Sequence, residues 1–292
     1  MVNAADAGAR GPGAEGQGDG IRVGALYVHP VKSLAGVGPD AVEVEPWGFA
    51  GDRRWLPVDP SGTAVTQRQL PRLALLRARP ARGGAVVLSG PGVPELTVSP
   101  PAPGPTETVT LFSKKVEAVP AGAVADAWFT AALGTPVRLM WMDDPAVRRP
   151  VDPEYARPGE TVSFADGYPV LLTSDASLAA LNVLIAEGGR AEEGPVPMSR
   201  FRPNLVVTGA EAWAEDGWGL LRIGGVEFRG ARECGRCVVT TVDQLTAERG
   251  REPLRTLGVH RRRGRSLVFG RLLVPLGRGT VRRGDAVRVL PG

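Results

Sequence analysis

The chain has 292 residues, a formal net charge of +4 and 43% hydrophobic residues. At about 150 residues per domain, this length predicts two domains, and the hydrophobic content allows a sizeable core. Two cysteines are too few for a disulfide scaffold, and no apolar run approaches the roughly 20 residues that a membrane-spanning helix needs.

The first 20 residues are rich in alanine and glycine. They lack the charged start and the apolar stretch of a secretory signal peptide, so we expect a disordered tail at residues 1–20. Because the chain also lacks an apolar span, the sequence predicts a cytoplasmic protein that has no membrane partner.

Short strands separated by glycine and proline dominate the segment from residue 21 to residue 120. They are predicted at residues 21–28, 42–44, 54–58, 73–78, 85–88, 96–98 and 108–112. Many short strands at such spacing are typical of a barrel or a sandwich. We therefore predict a first, β-rich domain at residues 21–120.

The segment 121–292 is predicted to form a second domain, in which helices join the strands. Apolar spacing predicts a helix at 123–133 that Gly134 terminates, and Thr173-Ser174-Asp175 caps a second helix at 176–186. Strands are predicted at 137–141, 170–172, 205–208, 220–223, 226–229, 238–242, 266–269 and 272–276, with a proline-rich loop at 143–160 and a closing turn and strand at 279–290. The chain as a whole is predicted to be mostly β with some α, an α+β protein.

One basic run, at residues 261–265, holds Arg261, Arg262, Arg263 and Arg265. Basic runs are one signal of nucleic-acid binding. No aromatic-rich RNA motif, helix-turn-helix pattern or multi-finger cysteine pattern accompanies this one. We therefore predict a solvated loop before the strand at 266–269, and no nucleic-acid partner.

The pair Cys234 and Cys237, two residues apart, is the sharpest chemical feature of the sequence. A thioredoxin-like redox pair opens a helix, whereas residues 238–242 are β-branched and favour a strand. Structural zinc takes four ligands, so a zinc site would need both cysteines and both histidines of the chain. The histidines, His29 and His260, do not have the spacing of a zinc finger. Two inert core cysteines and a single thiolate that binds a soft metal both remain open.

The segment around this pair, ECGRCVVTTVD at residues 233–243, resembles the signature of MOSC domains that carry the molybdenum cofactor. The resemblance is to the mitochondrial amidoxime-reducing component and its bacterial homologues, which reduce N-hydroxylated compounds. Further segments match in family order: HPVKS at 29–33, GDRRW at 51–55, SFADGYP at 163–169, LLTS at 171–174 and RFRPN at 200–204. The resemblance extends from about residue 21 to the end. It implies a MOSC N-terminal β-barrel domain followed by a MOSC β-barrel domain.

The resemblance also implies a set of site residues. In the family the cysteine directly before the hydrophobic-Thr-Thr-Val-Asp segment binds molybdenum, which makes Cys237 the metal ligand and catalytic residue and leaves Cys234 as a neighbour. The implied contacts to molybdopterin are Lys32, Ser33, Arg53, Thr173, Ser174, Arg202 and Asn204. Lysine and arginine side chains can neutralise a phosphate, and free backbone N–H groups at a helix start can bind it. An asparagine amide can both donate and accept hydrogen bonds at the edge of a pterin ring. Since these residues come from both halves of the chain, we expect the cofactor to lie between the domains.

The function implied by this resemblance is molybdenum-dependent reduction of a small N-hydroxylated substrate, from N–OH to N–H. Asp243 is a candidate proton shuttle, with a turn-forming role as the alternative. Electrons are expected from a separate ferredoxin, flavoprotein or reductase, because the sequence has no cysteines to spare for an iron–sulfur cluster. The rival hypothesis is a non-redox molybdenum-cofactor carrier or sulfur-handling protein.

Overall fold

The structure is a computed structural model that describes residues 20–151, 154 and 156–291, so the tail predicted at residues 1–20 lies outside the described residues except for Gly20. The strands are β1 (Arg22–Leu26), β2 (Ala41–Glu45), β3 (Gly48–Phe49), β4 (Trp55–Val58), β5 (Arg77–Pro80), β6 (Val86–Gly90), β7 (Val93–Val98), β8 (Glu107–Leu111), β9 (Lys114–Pro120), β10 (Arg138–Trp141), β11 (Val170–Ser174), β12 (Leu205–Thr208), β13 (Leu220–Ile223), β14 (Val226–Gly235), β15 (Arg262–Arg263), β16 (Ser266–Pro275), β17 (Gly279–Arg282) and β18 (Val287–Leu290). The helices are α1 (Ala123–Leu133), α2 (Pro145–Arg148), α3 (Asp175–Ala186) and α4 (Leu254–His260).

The largest sheet has eight strands in the order β1-β12-β11-β16-β14-β13-β18, with β15 paired to β16. Its two end strands come together, because Arg22 in β1 bridges Ala286 just before β18. The sheet therefore nearly closes into a barrel, which leaves few unpaired edge groups. We call this sheet, with α3 and α4, the second lobe. The prediction of a mostly β fold with some α is confirmed.

A smaller lobe holds two sheets, β4-β10-β9-β8 and β5-β6-β7, and helix α1. We call it the first lobe. Its core joins Trp55 of β4 to Trp128 and Phe129 of α1 and to Leu139 of β10. The chain is interwoven, because β1, from its N-terminal end, pairs with β12 in the second lobe, and β2 pairs with β17 from the C-terminal end. The predicted boundary between residues 120 and 121 stays a prediction.

Several predicted elements have the bounds found in the structure. Helix α1, β12 and β13 begin and end where the sequence predicted, and Gly134 ends α1 in the left-handed conformation with φ of 70°. The proline-rich loop also holds the short helix α2, whose first residue is Pro145. Proline is favoured there because its fixed φ suits the first helical position.

Two strand predictions are wrong. Residues Pro71–Leu75 form a 3₁₀ helix with proline in its first turn, and the strand β5 begins only at Arg77. Residues Val238–Thr241 also form a 3₁₀ helix. There the hydroxyls of Thr240 and Thr241 donate to the carbonyls of Cys237 and Val238, at 2.9 and 2.8 Å. Such local bonds let threonine stabilise a turn against its usual preference for a strand.

The solvated loop predicted for the arginine run is wrong for its first member. Arg261 is buried, and its Nη2 lies 2.5 Å from Oδ2 of Asp216. Its guanidinium also lies 4.2 Å from the Trp213 ring centroid. Arg262 and Arg263 are exposed in β15, as a solvated run requires. Among the helices that the structure describes, none is long and apolar enough to cross a bilayer.

We predict that Gly270→Ala lowers the free energy of unfolding by at least about 2 kcal/mol. Gly270 lies within β16 at φ of +83°, and a Cβ there would approach the carbonyl oxygen of Leu172 to 2.6 Å. Gly277→Ala is the matched control, since a Cβ at residue 277 would meet no atom within 4 Å. Urea unfolding midpoints measure the effect, and equal midpoints for the two variants would contradict the account.

Candidate functional site

A cavity of about 320 Å³ lies in the seam between the two lobes, a volume within the usual range for small-molecule sites. Its lining from the first half of the chain is Lys32, Ser33, Arg53, Thr66, Arg68 and Phe112. Its polar lining from the second half includes Asp166, Arg202, Asn204, Arg232, Cys234, Arg236, Cys237 and Thr240. The structure thus brings six of the predicted site residues to one cavity. Thr173 and Ser174 are not among its lining residues.

Backbone strain is concentrated around this cavity. In the described chain, six non-glycine residues have a positive φ, and four of these line the cavity: Ser33, Arg53, Phe112 and Arg202. Such conformations cost of order 1–3 kcal/mol each and persist only where the surrounding contacts enforce them. Three of the four are residues predicted from the sequence, so the strain marks the same site independently.

Arg53 is held in place by groups from both lobes. Its Nη1 donates to Oδ2 of Asp52 at 2.5 Å and to Oδ1 of Asn204 at 2.9 Å, and its Nη2 donates to the carbonyl of Arg202 at 3.0 Å. The amide of Asn204 in turn accepts from the Leu171 N–H and donates to the Tyr27 carbonyl, each at 3.2 Å. Arg53 and Asn204 therefore couple the two walls of the cavity.

Arg202 carries a buried hydrogen-bond donor without a partner among the described residues. Its Nη2 is buried and has no hydrogen-bond partner, and the residue forms no salt bridge within the described part of the chain. Burial, together with the nearby Arg53, lowers the pKa of Arg202 from 12.5 to about 9. A buried, unpaired donor of this kind is costly, and a bound phosphate would remove the cost by accepting its hydrogen bond.

Lys32 supplies a second buried cation. Its Nζ lies 2.5 Å from Oδ1 of Asp166 and donates to the Phe164 carbonyl at 2.8 Å. Burial lowers the pKa of Lys32 from 10.5 to about 8, although the ion pair with Asp166 acts in the opposite direction. An anion bound beside Lys32 would raise that pKa again, since it favours the charged form.

The two cysteines differ in their surroundings. Cys234 is buried, its sulfur accepts from Nη1 of Arg236 at 2.9 Å, and burial raises the pKa of its thiol. Cys237 is half-buried in the cavity wall, and Nη2 of Arg68 lies 3.2 Å from its sulfur. Cys237 therefore offers the more accessible sulfur, at the point where the first lobe reaches across to the second.

Cys237 has few protein groups with which to share a metal. Among the described residues, no cluster of three or more His, Cys, Asp or Glu side chains is placed to hold an ion. A metal bound by this thiolate would take its other ligands from a cofactor such as the dithiolene of molybdopterin. The unpaired Arg202 and the buried Lys32 fit the phosphate of that cofactor, so the residues present suit the group.

Three residues singled out in the sequence lie off the cavity lining. Thr173 is buried, and its hydroxyl donates to Sδ of Met198 at 3.3 Å. Ser174 is the residue before α3, without a side-chain capping bond. Asp243 accepts from Nη2 of Arg200 at 2.9 Å and from two backbone N–H groups of the next turn. Asp243 thus forms a turn and does not line the cavity.

Sequence reasoning missed Arg68, Phe112 and Asp166, which all line the cavity. Asp166 lies inside one of the quoted family-like segments, so that segment was the available signal. Arg68 and Phe112 belong to no motif, and their role is apparent only when the lobes meet.

Comparisons with protein-family models match residues 20–136 to the MOSC N-terminal beta barrel domain and residues 159–288 to the MOSC domain. Mitochondrial amidoxime-reducing component 1 of Homo sapiens is 33% identical over 286 residues, which cover 92% of this chain and 82% of that protein. Mitochondrial amidoxime reducing component 2 of Bos taurus is 33% identical over 255 residues, which cover 82% and 72%. A crystal structure of the YUAD protein from Bacillus subtilis covers 93% of this chain and 97% of that chain, at 11% identity and a TM-score of 0.42.

We predict that Arg202→Met weakens sulfate binding to the cofactor-free protein at least about tenfold, because it removes an unpaired, charged donor. Sulfate is the probe because it stays a dianion near neutral pH. Arg72→Met removes an exposed arginine outside the cavity and is the matched control. Calorimetric titration measures both constants, and equal sulfate affinity in the two variants would contradict the assignment.

We also predict that sulfate affinity of the cofactor-free protein falls between pH 7.5 and pH 8.5. Lys32 has a pKa of about 8 without an anion and a higher one with it, so sulfate binding takes up a proton in this window. Lys32→Arg should flatten the decline, since arginine stays charged there, while the exposed Lys115→Arg should keep it. The same slope in the wild type and in Lys32→Arg would overturn this role for Lys32.

Proposed function

The chain belongs to the MOSC family, and from that membership we propose that it is a molybdenum-cofactor oxidoreductase that reduces small N-hydroxylated compounds from N–OH to N–H. The observation that carries the proposal is the half-buried Cys237 sulfur in the wall of a cavity with an unpaired Arg202 guanidinium. The names of the human and bovine relatives, amidoxime-reducing components, support the same reaction class.

In the proposed complex, Cys237 would bind molybdenum and the cationic lining of the cavity would bind the molybdopterin phosphate. Lys32 and Arg202 supply positive charge, and Arg53 fixes the backbone carbonyl of Arg202 beside it. Ser33 adds a hydroxyl, and one N–H of the Asn204 amide is left for the pterin. Thr173 and Ser174 stay predictions as cofactor contacts, because they lie off the cavity lining.

The bound cofactor supplies the two-electron chemistry, and the protein supplies placement and charge. The reaction consumes two electrons and two protons for each N–OH and releases water. Phe112 is 44% exposed at the cavity and offers an aromatic surface to an entering substrate. We propose no general acid, because Asp243 is committed to its turn and Asp166 to Lys32.

We propose that a separate protein delivers the electrons. An iron–sulfur cluster takes about four cysteine ligands, whereas these 292 residues contain two cysteines, one of which is assigned to molybdenum. A ferredoxin, flavoprotein or reductase fits this requirement. The cytoplasmic location stays a prediction, since the human and bovine relatives are named as mitochondrial proteins.

We predict that Cys237→Ser loses molybdenum and lowers turnover on an amidoxime at least about 100-fold, because it removes the soft ligand. Cys234→Ser is the matched control, and we expect it to keep molybdenum and to stay within about tenfold of the wild-type rate. Elemental analysis and turnover with a chemical reductant measure both, so that the natural electron donor plays no part.

Two results would contradict the proposal in different ways. Full molybdenum and full turnover in Cys237→Ser would refute the ligand assignment. Stoichiometric molybdenum in the wild type without turnover on amidoximes, hydroxylamines or N-hydroxyguanidines would instead favour the non-redox carrier.

A further inference from the structure

Arg68 reaches across the seam and contacts the sulfur assigned to molybdenum. Its Nη2 lies 3.2 Å from Sγ of Cys237, although 169 residues separate them in sequence. Its guanidinium carbon lies over the Phe112 ring, 4.7 Å from the ring centroid. Within the described residues, Arg68 has no carboxylate at salt-bridge distance. Its charge is directed at a sulfur and an aromatic ring, and it also acts on the nearby carboxylate of Asp166.

The loop that carries Arg68 is anchored from both sides of the seam. Gln67 is fully buried, and its amide donates to the Ser33 carbonyl at 2.7 Å and to Oε1 of Gln244 at 3.1 Å. The side chain of Arg249, from the second lobe, donates to the backbone carbonyls of Gln67 and Arg68. These bonds fix the backbone from which the Arg68 side chain extends to the sulfur.

The turn itself is closed by its own side chains. Thr66 Oγ1 donates to Oε1 of Gln69 at 2.8 Å, and the backbone N–H groups of Gln69 and Leu70 bond to the Thr66 carbonyl at 3.0 and 2.9 Å. The turn that carries Arg68 is therefore held by hydrogen bonds within itself and by hydrogen bonds from the second half of the chain. A residue that contacts a metal ligand needs such a rigid support to hold that ligand in position.

We propose that Arg68 is a positioning residue that hydrogen-bonds the Cys237 sulfur and raises the reduction potential of the bound molybdenum. The inference rests on the proposed function, since it takes Cys237 as the ligand. A cationic donor withdraws electron density from the sulfur, and hydrogen bonds to ligating sulfurs are a known lever on the potential of a metal centre. The metal is then easier to reduce by a separate donor.

The test is a redox titration of the molybdenum-loaded protein, followed by the molybdenum EPR signal. In Arg68→Met we expect the equilibrium constant for one-electron reduction to fall about tenfold, a shift of about 59 mV to lower potential, with a changed EPR signal. Arg68→Lys keeps the charge but loses the planar fork, so its potential should lie between those of the wild type and Arg68→Met. Arg72→Met, which removes an exposed arginine outside the cavity, should match the wild type.

Three other results would overturn either the inference or the proposed function on which it rests. Arg68→Met with wild-type molybdenum content, potential and EPR signal would show that Arg68 does not act on the sulfur. Loss of molybdenum from Arg68→Met would show that Arg68 retains the cofactor and does not tune it. If Cys237→Ser kept the wild-type EPR signal, the ligand assignment itself would fail, whatever Arg68 did.

Discussion

Unbalanced positive charge in the seam between the lobes is the constraint on which the site depends. Six cationic side chains line the cavity, whereas its lining has one carboxylate, that of Asp166, and Asp52 pairs with Arg53. Charge of one sign that is partly withdrawn from water raises the free energy of the folded protein unless an anion enters. The unpaired Nη2 of Arg202 and the lowered pKa of Lys32 are local signs of that cost. A cofactor with a phosphate and a dithiolene supplies the missing negative charge.

The strained backbone and the interwoven lobes serve the same site. Ser33 and Arg53 line the cavity from the first half of the chain and Arg202 lines it from the second, and all three have a positive φ. Hydrogen bonds from Arg53 to Asn204 and to the Arg202 carbonyl tie these segments together. Because each wall is held by the other, neither lobe alone presents the full set of cations.

The sequence predicted much of the fold and six of the residues that line the cavity, and its failures have physical causes. Gly134 marked the end of α1 because only a residue tolerant of positive φ suits that position. The run at 238–242 favoured a strand, but the hydroxyls of Thr240 and Thr241 close a 3₁₀ turn. Arg68 was missed because its contact with Cys237 exists only in the tertiary structure. Thr173 and Ser174, which were implied by family order, lie off the cavity lining and stay predictions as cofactor contacts.

The central claim is that the Cys237 thiolate binds molybdenum in this cationic seam. Molybdenum K-edge X-ray absorption on the loaded protein tests it most directly, because the fine structure counts sulfur neighbours of the metal. We expect one sulfur fewer around any molybdenum that remains in Cys237→Ser than in the wild type, and no change in Cys234→Ser. An identical sulfur shell in wild type and Cys237→Ser would contradict the account.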